Sequence, residues 1–289
     1  MKIGINQFSF PTEFDVKQSI LEAAKLGYDS IELCFTDSGA KSGGGVTDAL
    51  DISSYHNRLF NVNSTQTDAL ELKYIANDAG ISIESVGGVV SFSIYPLTST
   101  DENKAQKCMD SMKKMLELAD ILGAQTAMVI PGMLTEEMSY EETFHRAQER
   151  ISYLCEYAPN ITIAIENVWN NYLYSPMELN SFVDGIGKPN VGIYFDIANA
   201  RRFGYPQQWI YTMGKRIKAL HLKDYRMSID NINGFTNLLD GDVNYPAVAK
   251  ALMDIGYEGA ANVELIPPAR HNVLQTLKYA RDTADIIFN

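Results

Sequence analysis

Three cysteines are scattered through the 289 residues, Cys34, Cys108 and Cys155, odd in number and with no C-x-x-C spacing. That scarcity excludes a disulfide framework and a thiolate zinc site, and it fits a reducing, cytoplasmic setting. Long apolar runs are missing too. The opening Met1-Lys-Ile-Gly-Ile-Asn-Gln-Phe-Ser-Phe10 is broken by polar residues where an export signal needs a continuous apolar stretch, so neither a leader nor a membrane span is expected. Positive charge is in deficit as well: 24 Lys and Arg against 36 Asp and Glu leave a formal net charge of -12. Such a chain repels polyanions at long range, which argues against a nucleic-acid partner held by its phosphates.

Apolar content is ample. At 46% hydrophobic and 21% charged, the composition supports a sizeable core and no wholesale disorder. A chain of this length is either two ordinary domains or one large barrel, since (β/α)8 barrels run to about 250 residues as one unit.

Short apolar, β-branched runs alternate with longer amphipathic stretches from end to end, as parallel strands joined by crossover helices do. Strands are expected at Lys2–Asn6, Ser30–Cys34, Ser82–Gly87, Thr126–Ile130, Thr162–Glu166, Gly192–Asp196, Ala219–Leu222 and Ala261–Leu265. Helices are expected at Val16–Leu26, Thr67–Ala79, Glu102–Leu122, Tyr140–Ala158, Met177–Gly185, Pro206–Met213, Pro246–Ile255 and Val273–Phe288. Four helices run into a glycine stop, at Gly27, Gly80, Gly123 and Gly256, with the next strand following at once. Eight units, tight turns and no linker predict one α/β domain over residues 1–289, a closed (β/α)8 TIM barrel. The exception is a long connection after the second strand, about residues 37–66, which contains Lys41-Ser-Gly-Gly-Gly45 and reads equally as a lid, an oligomer contact or a surface insertion.

Barrel enzymes work at the C-terminal ends of their strands, so polar residues ending apolar runs are the ones to inspect. Thr162-Ile-Ala-Ile-Glu-Asn167 ends in a carboxylate, and so do Gly192-Ile-Tyr-Phe-Asp-Ile197 and Ala261-Asn-Val-Glu-Leu265, while Lys218-Ala-Leu-His-Leu-Lys-Asp224 presents an imidazole. Any one of them has a plainer use: a strand-end acid can cap a helix or pair with a cation, and a lone His can be a core residue. Four at consecutive strand ends point elsewhere. Three carboxylates gathered at one mouth repel, at an effective desolvation cost on the order of several kcal/mol each, and a divalent cation is the simplest compensation. One nitrogen and three oxygen donors suit Mn2+ best, with Mg2+, Co2+ or Zn2+ also compatible.

These residues carry a resemblance. Tyr194-Phe-Asp-Ile-Ala-Asn-Ala200, Arg202-Phe-Gly-Tyr205, Arg216-Ile-Lys-Ala-Leu-His-Leu-Lys-Asp-Tyr225, Leu239-Asp-Gly-Asp-Val-Asn-Tyr-Pro246 and Asn262-Val-Glu264 are similar to the xylose-isomerase-like barrel superfamily of sugar isomerases, ketose 3-epimerases and apurinic-site endonucleases. The resemblance covers nearly the whole chain. It implies one cation held by Glu166, Asp196, His221 and Glu264, which match the family pattern in order and type. Where that family often has a histidine three residues after the strand-six aspartate, this chain has Asn199. The endonuclease branch needs several further histidines, but only His56, His145 and His271 remain, which disfavours a trinuclear site and DNA cleavage.

The expected function is therefore metal-dependent sugar isomerisation or epimerisation of a ketose or ketose phosphate through an enediolate, with 3-epimerisation favoured. Epimerisation removes a proton from one face and returns it to the other, and Glu166 and Glu264 are the candidate pair. Asp196 and His221 would be ligands only. Asn199, Lys223, Asn167, Trp169 and Arg226 are the candidate substrate contacts, with Tyr172 and Phe8 as further aromatics. Arg201, Arg202, Arg226 and Arg270 keep a phosphorylated sugar open. A lyase dehydrating a cyclic polyol ketone (an inosose-type dehydratase), or a non-catalytic sugar-binding barrel, would use the same residues. The partner is a small sugar or sugar phosphate; homo-oligomer formation is common among barrels, but no patch in the sequence specifies it.

Overall fold

A computed structural model describes residues 1–37, 60–88, 90–265 and 271–288. Eight parallel strands close on themselves: β1 (Lys2–Asn6), β2 (Ser30–Thr36), β3 (Ser82–Gly87), β4 (Thr126–Val129), β5 (Thr162–Glu166), β6 (Val191–Asp196), β7 (Ile217–Leu222) and β8 (Ala260–Val263). Each pairs with its sequence neighbour, and β1 pairs with both β2 and β8, with Gly4 opposite Ser30 and Asn262. The expected TIM barrel is thus present. Around it stand α1 (Val16–Lys25), α2 (Gln66–Asp78), α3 (Glu102–Leu122), α4 (Tyr140–Tyr157), α5 (Pro176–Ile186), α6 (Pro206–Met213), α7 (Tyr245–Asp254) and α8 (Val273–Phe288).

Local chemistry sets these boundaries. Asp15 with Gln18, Thr65 with Asp68, and Ser139 with Glu142 form capping boxes that start α1, α2 and α4, satisfying helix N–H groups that would otherwise lack partners. All four glycine stops have positive φ; Gly123, at +83°, caps α3. Most of the 37–66 connection, including Lys41–Gly45, lies outside the described residues. Within it, Phe60–Asn61 pairs in parallel with β2.

Strand alternation divides the barrel into two environments. Outward positions such as Ile3, Ile31, Ile163, Ile165, Phe195, Leu220 and Val263 join the main core beneath the helices. Inward positions include Gly4, Glu32, Ser85, Ala164, Tyr194, Ala219 and Asn262. Of these, Ala164, Tyr194 and Ala219 pack with Phe92, Met128 and Ile130 in a second, smaller apolar cluster. Gly4 is needed for close approach, because a Cβ there would lie 1.9 Å from Asn262 Oδ1. Among the described residues no helix is long and apolar enough to cross a membrane.

Candidate metal centre

Glu166 and Asp196 are the last residues of β5 and β6, His221 is the penultimate residue of β7, and Glu264 directly follows β8. Two residues beneath three of them, Ala164, Tyr194 and Ala219 continue the same inward rows. The four side chains converge: one potential ligand atom from each lies within 4.8 Å of the others, and all four residues are buried. His221 Nδ1 is 2.9 Å from Glu166 Oε1, 3.5 Å from Glu264 Oε2 and 3.9 Å from Asp196 Oδ2. Asp196 Oδ1 accepts from the Asn199 backbone N–H at 2.8 Å, which turns Oδ2 toward the cluster.

Lys223, two residues beyond His221, enters the same space. Its Nζ lies 2.7 Å from Asp196 Oδ2 and donates to Glu264 Oε2. The ammonium thus pairs with two of the three carboxylates, while Glu166 faces the imidazole. Three buried carboxylates and an imidazole within reach of one another make a donor set that fits a divalent cation.

The electrostatics follow from crowding. Burial raises the Glu166 carboxyl to about 7. Burial raises Asp196 too, against the pull of Lys223. For Lys223, burial works toward the neutral form, but Asp196 and Glu264 outweigh it and hold the ammonium charged above the ordinary lysine range. His221 behaves alike: burial is outweighed by Glu264 and Glu32, and its basicity ends well above normal.

The sequence matches the xylose isomerase-like TIM barrel family over residues 20–283. The chain belongs to that family. An uncharacterized protein of Methanocaldococcus jannaschii is 25% identical over 184 residues, 60% of this chain and 61% of that protein, so the match spans less than two thirds of the relative. Among solved structures, the D-psicose 3-epimerase of Clostridium cellulolyticum H10 with D-tagatose superposes with a TM-score of 0.76 at 18% identity, covering 100% of both chains. An L-ribulose 3-epimerase gives 0.78 at 15% identity over 99% of this chain and 94% of the other. The IOLI protein with a binding zinc atom gives 0.79 at 18%, covering 100% and 98%. At these identities the likeness speaks to the fold.

In this xylose isomerase-like barrel the second tier of residues divides. Asn167 clamps the Asp196 backbone, donating from Nδ2 to its carbonyl at 2.9 Å and accepting its N–H at 2.8 Å, so its amide holds a strand end. Asn199 contributes backbone contacts, donating its N–H to the Asp196 carboxylate and accepting at its carbonyl from Trp169 Nε1. Trp169 stacks on Phe235 at 5.0 Å, the Arg202 guanidinium lies 4.5 Å from the Trp169 ring centre, and Lys223 lies 4.7 Å above Phe235. Tyr172 is fully buried in the main core and donates to the Pro131 carbonyl rather than joining the carboxylates. Arg226 is exposed and bonds the Asp240 carbonyl; it is not brought to the carboxylates. Arg201 bonds the carbonyls of Asp242 and Gly204, Arg202 pairs with Asp230, and Arg270 lies outside the described residues.

Two features escaped inspection of strand ends. A cavity of 330 Å³ adjoins Lys223 and Glu264, walled by Asn233, Phe235, Thr236 and Asn237 from the β7 connection and by Thr276 of α8. Its loop is anchored by Asp224, whose Oδ1 accepts from the backbone of Tyr225 and Val243, and Gly241 permits this because a Cβ would lie 2.2 Å from that oxygen. The other is Glu32, in mid-β2 and fully buried, whose Oε1 lies 2.8 Å from His221 Nε2. The signal was present: a charged residue inside a strand buried on both faces needs a partner.

Proposed function

We propose that this barrel is a divalent-metal-dependent sugar isomerase that epimerises a ketose at C3 by enediolate proton transfer. Supporting the reading is the placement of two carboxylates, Glu166 and Glu264, on the same buried cluster but in different surroundings, with the cavity opening beside Glu264. A bound divalent cation would polarise the ketose carbonyl and acidify the neighbouring C–H. Glu166, Asp196, His221 and Glu264 would hold it, and the mixed oxygen and nitrogen donors favour Mn2+.

The two glutamates would then divide the proton transfers. Among the described residues no lysine forms an ion pair with Glu166, so its carboxylate is not engaged by an ammonium that would oppose its taking a proton from the substrate. Glu264 shares the Lys223 ammonium, which is placed to steady negative charge on a substrate oxygen. Asp196 and His221 serve to bind and orient. Neutral amides and hydroxyls dominate the polar lining of the cavity, while Arg201, Arg202 and Arg226 are committed to carbonyls or Asp230, which favours a free ketose over its phosphate.

The test is exchange. With Mn2+ and a panel of ketoses in D2O, the protein should incorporate solvent deuterium at C3 and yield the C3 epimer, whereas Glu166→Gln and Glu264→Gln should do neither. Normal exchange in both variants, or a product lighter by one water, would sink the reading, the latter in favour of a lyase.

A further inference from the structure

Glu32 belongs to the first half of the barrel and ends no strand, yet it touches the centre. Its Oε1 faces His221 Nε2 at 2.8 Å and accepts from Asn6 Nδ2, while its Oε2 accepts from Ser85 Oγ at 2.7 Å. Both Glu32 and His221 are 0% exposed, so no water competes for these bonds. Tyr194 and Asn262 extend the network below: Asn262 Nδ2 donates to Tyr194 Oη at 2.6 Å, and that hydroxyl lies 3.4 Å from Ser85 Oγ.

The consequence concerns the imidazole. An ionised carboxylate only accepts, so an Nε2 hydrogen-bonded to Glu32 must carry the hydrogen. Nδ1 faces the oxygens of Glu166, Glu264 and Asp196, where a bound cation would take the place of the Nδ1 proton; the neutral ring then keeps its hydrogen on Nε2 and its lone pair on Nδ1. We infer that Glu32 is the positioning residue for His221: it fixes the Nε2–H tautomer, points Nδ1 into the carboxylate cluster as the ligating nitrogen, and strengthens that donor. Asn6 and Ser85 hold Glu32 in turn, so three residues of β1, β2 and β3 set a ligand carried by β7. Carboxylates behind ligating histidines act in this way in general. The inference rests on reading the cluster as a cation site and is independent of which sugar is turned over.

Two measurements test it. On zinc-loaded intact protein, 15N–1H correlation spectra of the imidazoles, with His221 assigned by its loss in His221→Asn, should show zinc on Nδ1 and a slowly exchanging proton on Nε2. Zinc on Nε2 with the proton on Nδ1 would overturn the inference, and needs no Glu32 variant. Titration of free Mn2+ by electron paramagnetic resonance should show Glu32→Gln binding about ten- to a hundredfold more weakly than wild type, with circular dichroism showing the metal-free variant folded at the titration temperature. Equal affinity in Glu32→Gln and wild type would also overturn it. If wild type binds neither Mn2+ nor Zn2+, the cation-site reading falls and takes this inference with it, an outcome distinct from binding that ignores Glu32.

Discussion

The two halves of the barrel treat the same inward positions differently. Strands β5 to β8 bring Glu166, Asp196, His221 and Glu264 to the mouth, whereas β1 to β4 bring neutral groups and a single buried acid, Glu32. In the second half the acids face one another, and burial lifts Glu166 and Asp196 out of the ordinary carboxylate range. In the first half burial would do the same to Glu32, but the His221 imidazole overrides it and keeps the acid ionised. On the proposed reading, like charges gather where a cation would be held, and an opposite charge stands where a ligand would be aimed.

The sharpest way to break this contrast is to remove a ligand from the crowded half. Asp196→Ala should abolish Mn2+ binding by calorimetry and lower turnover by a factor of about 1,000 or more, in the range expected when acid–base groups and their electrostatic support are lost together. Retained stoichiometric binding would show that Asp196 is not part of the site.

Lys223 is next in size. Its side chain is 8% exposed, and removing it as Lys223→Met leaves Asp196 and Glu264 facing each other with no ammonium between them. Breaking a buried ion pair costs about 3–5 kcal/mol, so the metal-free variant should melt well below wild type. Excess Mn2+ should restore most of that loss, because a cation in the same cluster opposes the same repulsion. Turnover should remain about a hundredfold down, since the group that steadies charge on substrate is still missing. Full recovery of activity with Mn2+ would reduce Lys223 to a structural counter-ion.

The crowded half was the legible half. Glu166, Asp196, His221 and Glu264 interrupt apolar runs at strand ends, and the structure brings the four together; the glycine stops and alternating runs locate most of the frame. Prediction and structure differ at edges: β7 begins at Ile217 rather than Ala219, because Ile217 pairs with Ile193 of β6 while the exposed Lys218 that follows is skipped by a shift in register. Glu32 was overlooked for a related reason. Between Ile31 and Leu33 it reads as one acid in a strand, and its partner lies 189 residues away on β7, a separation that only closure of the barrel spans. The cavity wall was likewise hidden, because Asn233 to Asn237 form a loop whose place depends on the Asp224 and Gly241 contact.

Acidity separates the halves more gently. Glu166 holds a proton to about pH 7, and His221 is more basic than usual, so a cation entering the cluster must displace protons. Both shifts are upward, hence affinity for Mn2+ should rise with pH and fall off by at least about tenfold per unit on the acid side of 7. In calorimetry, two buffers of different ionisation enthalpy should show net proton release near pH 6.5. Without added metal the sign reverses: the folded state binds the Glu166 proton more tightly than the unfolded chain, so stability should decline as pH rises from about 4.5 to about 7.

The smallest effect asks whether aiming belongs to the first half alone. Asn167 sits in the second half, just past β5, and secures the Asp196 backbone through both ends of its amide. Asn167→Ala leaves the Asp196 N–H and carbonyl to find other partners, at a cost of about 1–3 kcal/mol in stability. The side chain of Asp196 is still fixed by the Asn199 N–H, so Mn2+ affinity should weaken less than in Glu32→Gln, by less than about tenfold. If Asn167→Ala instead matches or exceeds Glu32→Gln in lost affinity, ligand positioning is shared between the halves, and the division drawn from β1–β3 onto His221 is too sharp.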